Sequence, residues 1–257
     1  MIKAVIFDMD GTILNTLDDL ADAINYALKS RNHVCNFDGN IVRMFFGSGI
    51  RVAFERALAL EAGCTEQELE FIGTKDYQGK HGIKQGLSDE IDKLMEIYLP
   101  YYNEHCNDRT RAYEGIIELL SELRKRGIKT AVVSNKPDAA VQILCENLFK
   151  GLFDYSLGEL EGVNRKPARD MVDMCLDNLG VVATEAIYIG DSEIDLLTAY
   201  NSNMPCVAVT WGFRGRKFLE KHHAEIIIDS PEEVLAIIEN DKSVIDSKDN
   251  WRRYGFY

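Results

Sequence analysis

The densest chemistry in this 257-residue chain lies near its start, in Asp8-Met9-Asp10-Gly11-Thr12. The segment follows an uninterrupted apolar run, Ala4-Val5-Ile6-Phe7. Two carboxylates at the end of a buried strand are costly unless they hold a metal or react. A plain strand-closing turn is the alternative, because Asp and Gly both favour turns. Three other segments bear on the choice. Thr130-Ala131-Val132-Val133 runs into Ser134-Asn135-Lys136, a later loop carries Arg165-Lys166-Pro167, and Ile187-Tyr188-Ile189 runs into Gly190-Asp191-Ser192-Glu193-Ile194-Asp195. Each has a modest explanation alone. Ser134-Asn135 could cap a helix, Lys166 could be a solvated loop lysine, and Gly190-Asp191-Ser192 could be a turn with a helix cap. Together they put a carboxylate pair, a hydroxyl, a cation and a second acidic pair at successive strand ends. In open parallel sheets that rim is where ligands bind.

The elements that must position these groups alternate along the chain. Short apolar runs at Ala4–Phe7, Lys129–Val133, Asp154–Leu157, Ala186–Ile189, Cys206–Val209 and Ala224–Ile228 predict strands. Their continuous hydrophobicity predicts a parallel sheet covered on both faces. Gly115–Arg126 predicts a helix with an apolar stripe of Ile116, Leu119, Leu120 and Leu123, stopped at Gly127. Ser230-Pro231-Glu232-Glu233 predicts another, with Ser230 as cap and Pro231 at its first position. Between about Asn15 and Asp108 the alternation stops and helical patterns take over: Thr16 capping a stripe of Leu17, Leu20, Ile24, Ala27 and Leu28, then Val52–Leu60 and Asp89–Tyr102. Gly73, Gly79, Gly82 and Gly86 predict a loop or broken helix inside this insertion. The last segment, Asp241–Tyr257, is polar and then aromatic-basic.

Composition narrows the function. A net charge of −13 argues against general nucleic-acid binding, which requires basic surface. No apolar run approaches the ~20 residues of a bilayer span. The N-terminus enters a strand without a basic or cleavable leader, so the expected location is cytoplasmic and no membrane partner is expected. Cys35, Cys64, Cys106, Cys145, Cys175 and Cys206 show no paired spacing, and predict neither a disulfide framework nor a zinc site.

Taken in order, Asp8-x-Asp10-Gly11-Thr12, Ser134, Lys166 and Gly190-Asp191-x-x-x-Asp195 resemble the four motifs of haloacid dehalogenase (HAD) superfamily phosphatases. The resemblance runs from Ile2 to about Glu239. It implies a Rossmann-like α/β core, with a parallel central sheet flanked by helices, plus an inserted all-helical cap of the C1 type. The expected organisation is core at 1–14 and 109–240, cap at 15–108, and a C-terminal extension at 241–257. Gly47-Ser48-Gly49-Ile50-Arg51, Asp108-Arg109-Thr110-Arg111-Ala112-Tyr113, Ser134-Asn135-Lys136-Pro137 and Val209-Thr210-Trp211-Gly212-Phe213 resemble the phosphoglycolate phosphatases within it. Glu114 and Arg169 stand where relatives often carry Pro, at positions without a chemical role.

The resemblance implies Mg²⁺-dependent hydrolysis of a small phosphorylated metabolite. By motif match, Asp8 is the nucleophile, and Asp10 protonates the leaving alcohol and later deprotonates water. Ser134 and Lys166 contact the phosphoryl group and offset its charge. Asp8, Asp191 and the Asp10 carbonyl would hold Mg²⁺, with Asp195 supporting Lys166 or a metal-bound water. Gly11, Thr12 and Asn135 would contribute to substrate binding. Arg51 could meet a substrate carboxylate, or could be an ordinary helix-surface arginine. The cap would close over the site and exclude water. Trp211 and Phe213 could border the site or simply pack, and His222-His223 read as surface. The same motifs also serve pyrophosphatases, nucleotidases and sugar phosphomutases. A non-catalytic binding protein ranks last, because every motif position is intact.

Overall fold

The computed structural model describes residues 1–73 and 85–240. The expected broken helix or loop around Gly79, Gly82 and Gly86, and the extension 241–257, fall largely or wholly outside them. In chain order, β1 (Ala4–Phe7) and β2 (Leu14–Asn15) precede the helices α1 (Leu17–Ser30), α2 (Gly39–Phe45), α3 (Ile50–Glu61), α4 (Glu66–Leu69) and α5 (Gln85–His105). β3 (Arg111–Ala112), α6 (Ile116–Lys125), β4 (Lys129–Pro137) and α7 (Asp138–Leu144) follow, and a π-helical turn at Cys145–Phe149 leads to β5 (Tyr155–Glu159). The chain then alternates through α8 (Asp170–Leu179), β6 (Ala186–Gly190), α9 (Glu193–Asn201), β7 (Cys206–Val209), α10 (Arg216–Lys221), β8 (Ile226–Ile228) and α11 (Glu233–Glu239). It divides into two compact units, one of Met1–Asn15 with the residues from Arg111 onward, the other Thr16–Thr110.

The first unit is built on a six-stranded sheet of order β5-β4-β1-β6-β7-β8. Its pairings are all parallel. β1 is central and fully buried, which is why it contains no polar residue. Ala4 and Ile6 join Ala131, Val133, Tyr188, Val172 and Leu196 in one core layer. Val5 and Phe7 alternate to the opposite face, where Phe7 meets Phe153 edge-on at 6.2 Å. α6 buries the expected stripe of Ile116, Leu119, Leu120 and Leu123. The chain adds strands outward from β1 through β4 to β5, then returns to build β6, β7 and β8 on the other side. β1 is therefore the switch point, where a crevice forms beyond the strand ends. A two-residue ribbon, Leu14↔Ala112 and Asn15↔Arg111, pairs the outgoing and returning chain.

Two helix starts differ from expectation. α11 begins at Glu233, not at Pro231. The Glu233 carboxylate accepts the backbone N–H groups of Asp229 and Ser230, so Ser230 is captured in a turn instead of capping. Thr16 occupies the N-cap position of α1 but makes no side-chain cap bond: its backbone, at φ −109° and ψ 3°, is not in the extended conformation of a capping residue, and its hydroxyl is left buried without a hydrogen-bond partner. β4 also continues past Val133 to Pro137, with a register irregularity between those residues. Ser134 therefore ends no strand and caps no helix.

In the second unit every described element is helical. Phe54, Tyr98 and Tyr102 form its aromatic core, with Phe54 edge-on to Tyr98 at 5.7 Å and Tyr98 stacked on Tyr102 at 5.2 Å. Arg56 is buried, and its guanidinium donates to the carbonyls of Met44, Phe45 and Ile72. Asp19 is also buried, and accepts the backbone N–H groups of Arg109 and Thr110. All six cysteines are free thiols.

Candidate active site

The strand ends of the α/β unit bring together Asp8, Lys166, Asp191 and Asp195, all buried. Asp8 is the first residue past β1, and its N–H extends the ladder to the Ile189 carbonyl at 2.8 Å. Lys166 arrives from the loop between β5 and α8. Its ammonium lies 2.7 Å from Asp8 Oδ1, 2.9 Å from Asp195 Oδ1 and 3.0 Å from the Tyr188 hydroxyl. That hydroxyl donates in turn to the Val133 carbonyl at 3.1 Å. Lys166 is thus held at three points.

Asp195 is the organiser of the rim. Its Oδ1 takes Lys166, while Oδ2 accepts from Asp191 N, Ser192 N and, at 2.6 Å, Ser192 Oγ. The reciprocal bonding between Ser192 and Asp195 is a capping box that starts α9. Asp191, just past β6, receives the Phe213 N–H on Oδ2 at 2.6 Å and the Thr12 hydroxyl on Oδ1 at 3.4 Å. Asp10 pairs with Lys136 at 3.0 Å. Ser134, Asn135 and Lys136 are buried in the irregular part of β4, and Asn135 donates to the Lys166 carbonyl at 3.0 Å.

Three residues expected to bind substrate use donors inside the protein. The Gly11 N–H closes its own loop on Leu14 O, the Thr12 hydroxyl is on Asp191, and the Asn135 amide is on Lys166 O. Their geometry shapes the rim, because short polar side chains and loop amides satisfy neighbouring backbone first. Arg51 belongs to the helical unit, at the start of α3, where it ion-pairs with Asp92. Lys136, Tyr188 and the backbone of Phe213 have no assigned role in the motifs. Lys136 could have been suspected from its place directly after Ser134-Asn135, and Tyr188 from a hydroxyl within an apolar strand. A main-chain N–H such as that of Phe213 leaves no signal in residue type.

Electrostatics single out the same cluster. Burial pushes the Asp8 carboxyl up to about 7, against the pull of Lys166. Burial, then Asp195 and Asp8, raise Asp191 well above the carboxylate range, while the Phe213 N–H and Arg214 draw it down. Burial opposes the charge on Lys166, yet Asp195 and Asp8 lift its ammonium well above the usual value. Oxygens of Asp8, Asp191 and Asp195 lie within 4.8 Å of one another. One lysine bridges Asp8 and Asp195, and Arg214 offsets only part of the negative charge that Asp191 faces. An all-oxygen, under-neutralised set of this kind fits a hard dication.

A family model described as haloacid dehalogenase-like hydrolase matches residues 5–209. The chain belongs to that family. This HAD-like hydrolase is 28% identical to the phosphoglycolate phosphatase of Colwellia psychrerythraea, over 91% of its own length and 95% of that protein's. It is 27% identical to the N-acetylmuramic acid 6-phosphate phosphatase of Pseudomonas aeruginosa, over 93% and 95%. A solved structure from Lactobacillus delbrueckii subsp. bulgaricus, provisionally described as a phosphoglycolate phosphatase, is 47% identical with a TM-score of 0.86, covering 94% of this chain and 98% of that one. With these relatives, the HAD-like hydrolase is a phosphoric monoester hydrolase. No helix among the described residues is long and apolar enough to cross a membrane.

Proposed function

We propose that this hydrolase cleaves a small phosphomonoester of the phosphoglycolate type through an aspartyl-phosphate on Asp8, with Mg²⁺ held by Asp8, Asp191 and the Asp10 carbonyl. The supporting observation is the buried Asp8–Asp191–Asp195 cluster with Lys166 bridging Asp8 and Asp195. Mg²⁺ bound there would keep Asp8 ionised and offset charge on the phosphoryl oxygens.

An Asp8 carboxylate oxygen attacks phosphorus in line as the ester P–O bond breaks. Asp10 gives its proton to the departing alkoxide. A water then attacks the same phosphorus, Asp10 takes its proton, and the P–O bond to Asp8 breaks to free inorganic phosphate. Lys166 holds Asp8 in place and balances charge as it builds on the phosphoryl group. Ser134, on the same rim, donates its hydroxyl to a phosphoryl oxygen. Asp195 takes no part in bond making: it fixes Lys166, and through its other oxygen the Asp191-Ser192 backbone. Arg51 is the helical unit's candidate for a substrate carboxylate, a role that requires it to release Asp92.

Similarity to an N-acetylmuramic acid 6-phosphate phosphatase favours a second reading, a sugar phosphate as substrate. Phosphate release in Mg²⁺ from 2-phosphoglycolate, N-acetylmuramic acid 6-phosphate, nucleotides, pyrophosphate and hexose phosphates separates the two. The expected result is the highest kcat/KM on 2-phosphoglycolate. Preference for the amino-sugar phosphate would replace the substrate assignment. No release from any of them, with isomerisation of a hexose phosphate, would remove the phosphatase reading.

A further inference from the structure

The loop between β7 and α10, Thr210–Gly215, contains the Trp211-Gly212-Phe213 segment that the catalytic motifs leave unused. It touches the rim at three consecutive residues. Trp211 Nε1 donates to the Thr12 carbonyl at 2.9 Å. Gly212 packs so closely that a Cβ there would overlap the Gly11 carbonyl oxygen and the Asp191 side chain. The Phe213 N–H holds Asp191 Oδ2 at 2.6 Å. From the other side, a Cβ at Gly11 would overlap the Asp191 carboxylate. Asp191 is therefore gripped between two glycine backbones, and each of its oxygens already carries one hydrogen bond in a fixed direction.

We propose that Trp211, Gly212 and Phe213 are positioning residues for the metal carboxylate Asp191, and that Gly212 is required for the close approach that aims it. The inference rests on the reading of the acidic cluster as a Mg²⁺ site. Phe213 supplies the directional bond, and Gly212 admits the loop backbone to within contact of both Gly11 and Asp191. Trp211 ties the loop to the Thr12 main chain, whose hydroxyl bonds the other Asp191 oxygen. An added methyl group at Gly212 must displace either the Asp191 carboxylate or the Gly11 carbonyl, because neither neighbour is the far end of a flexible side chain. Gly215 in the same loop has open space around its Cβ position and serves as the control.

The test uses the full chain and reads metal binding directly, as the Mg²⁺ concentration giving half the maximal rise in thermal midpoint. Gly212→Ala should require about 10–100-fold more Mg²⁺ than wild type, the range for disturbed supports of metal ligands. Trp211→Phe, which keeps an aromatic ring and removes the indole N–H, should shift it in the same direction by about threefold or more, the size of one neutral hydrogen bond. Gly215→Ala should match wild type. If wild type responds to Mg²⁺ and both Gly212→Ala and Trp211→Phe respond identically, the positioning role is overturned while the metal site stands. An equal shift in Gly215→Ala also overturns it, since the effect would then belong to any change in the loop. No Mg²⁺ response in wild type removes the metal reading and this inference with it. Should Gly212→Ala lack a cooperative transition, Trp211→Phe decides alone.

Discussion

The two units differ in how closely they crowd buried charge. In the helical unit, Arg56 gives its guanidinium to backbone carbonyls and Asp19 takes backbone N–H groups. In the α/β unit, Asp8, Asp191 and Asp195 crowd together with Lys166 between two of them. A buried ion satisfied by main chain has its partners fixed by the fold, and what it contributes is stability. A crowd of carboxylates short of positive charge raises the free energy of the folded state, a cost that, on the proposed reading, binding of a cation relieves. On the proposed reading, the contrast separates a structural use of charge from a chemical one.

The sharpest way to break the contrast is Asp8→Asn. It should lower phosphate release by about 10⁴-fold or more, as loss of a nucleophile does elsewhere. Its thermal midpoint should equal or exceed that of the metal-free wild type, because one of three crowded carboxylates is gone. Activity within tenfold of wild type would place the nucleophile elsewhere. Arg56→Leu tests the other side. Two buried carbonyls, of Phe45 and Ile72, and a half-buried one, of Met44, would lose their donor, at roughly 1–3 kcal/mol for each buried group before relaxation. A loss of about 3 kcal/mol in urea unfolding is expected, and a loss below about 1 kcal/mol would mean water replaces the guanidinium at little cost.

The smallest effect is on the surface of the helical unit. Hydrogen bonding from Arg31 draws Glu90 down to about 2, with His33 adding to the pull. A carboxyl lowered on folding stabilises the native state above its ordinary pKa. That contribution fades as pH falls from about 4.5 to about 2. Glu90 is half-buried, but its Arg31 partner is exposed and the pair is screened by solvent, so its share should stay below about 1 kcal/mol. Thermal midpoints of wild type and Glu90→Gln should differ at pH 6 and converge near pH 2. A constant difference across that range would show that the pair acts through packing instead.

The parts legible in the sequence were those whose signal is residue type. Ala4–Phe7 reads as a central strand because a strand buried on both faces admits no polar residue, and the family follows from Asp8, Asp10, Ser134, Lys166, Asp191 and Asp195 in order. Helix starts were less legible, since several groups compete for the same N–H donors. At Ser230 the Glu233 carboxylate wins, and at Thr16 the backbone is not in the extended conformation that a cap needs. Least legible were Lys136, Tyr188 and the Phe213 N–H. Lys136 and Tyr188 reach the rim through strand register, and Phe213 through close backbone approach, which only Gly212 hinted at.

The two-residue ribbon joining Leu14-Asn15 to Arg111-Ala112 has a consequence for the lineage of such proteins. To the sheet, residues 16–110 are one long loop whose ends are already tied. The entropy of closing a loop rises only with the logarithm of its length, about 0.6 kcal/mol per doubling. An insertion of quite different size could therefore be grafted between Asn15 and Arg111 with little penalty to the strands beneath. Selection is then free to exchange the segment wholesale, while the rim that carries the aspartates stays as it is.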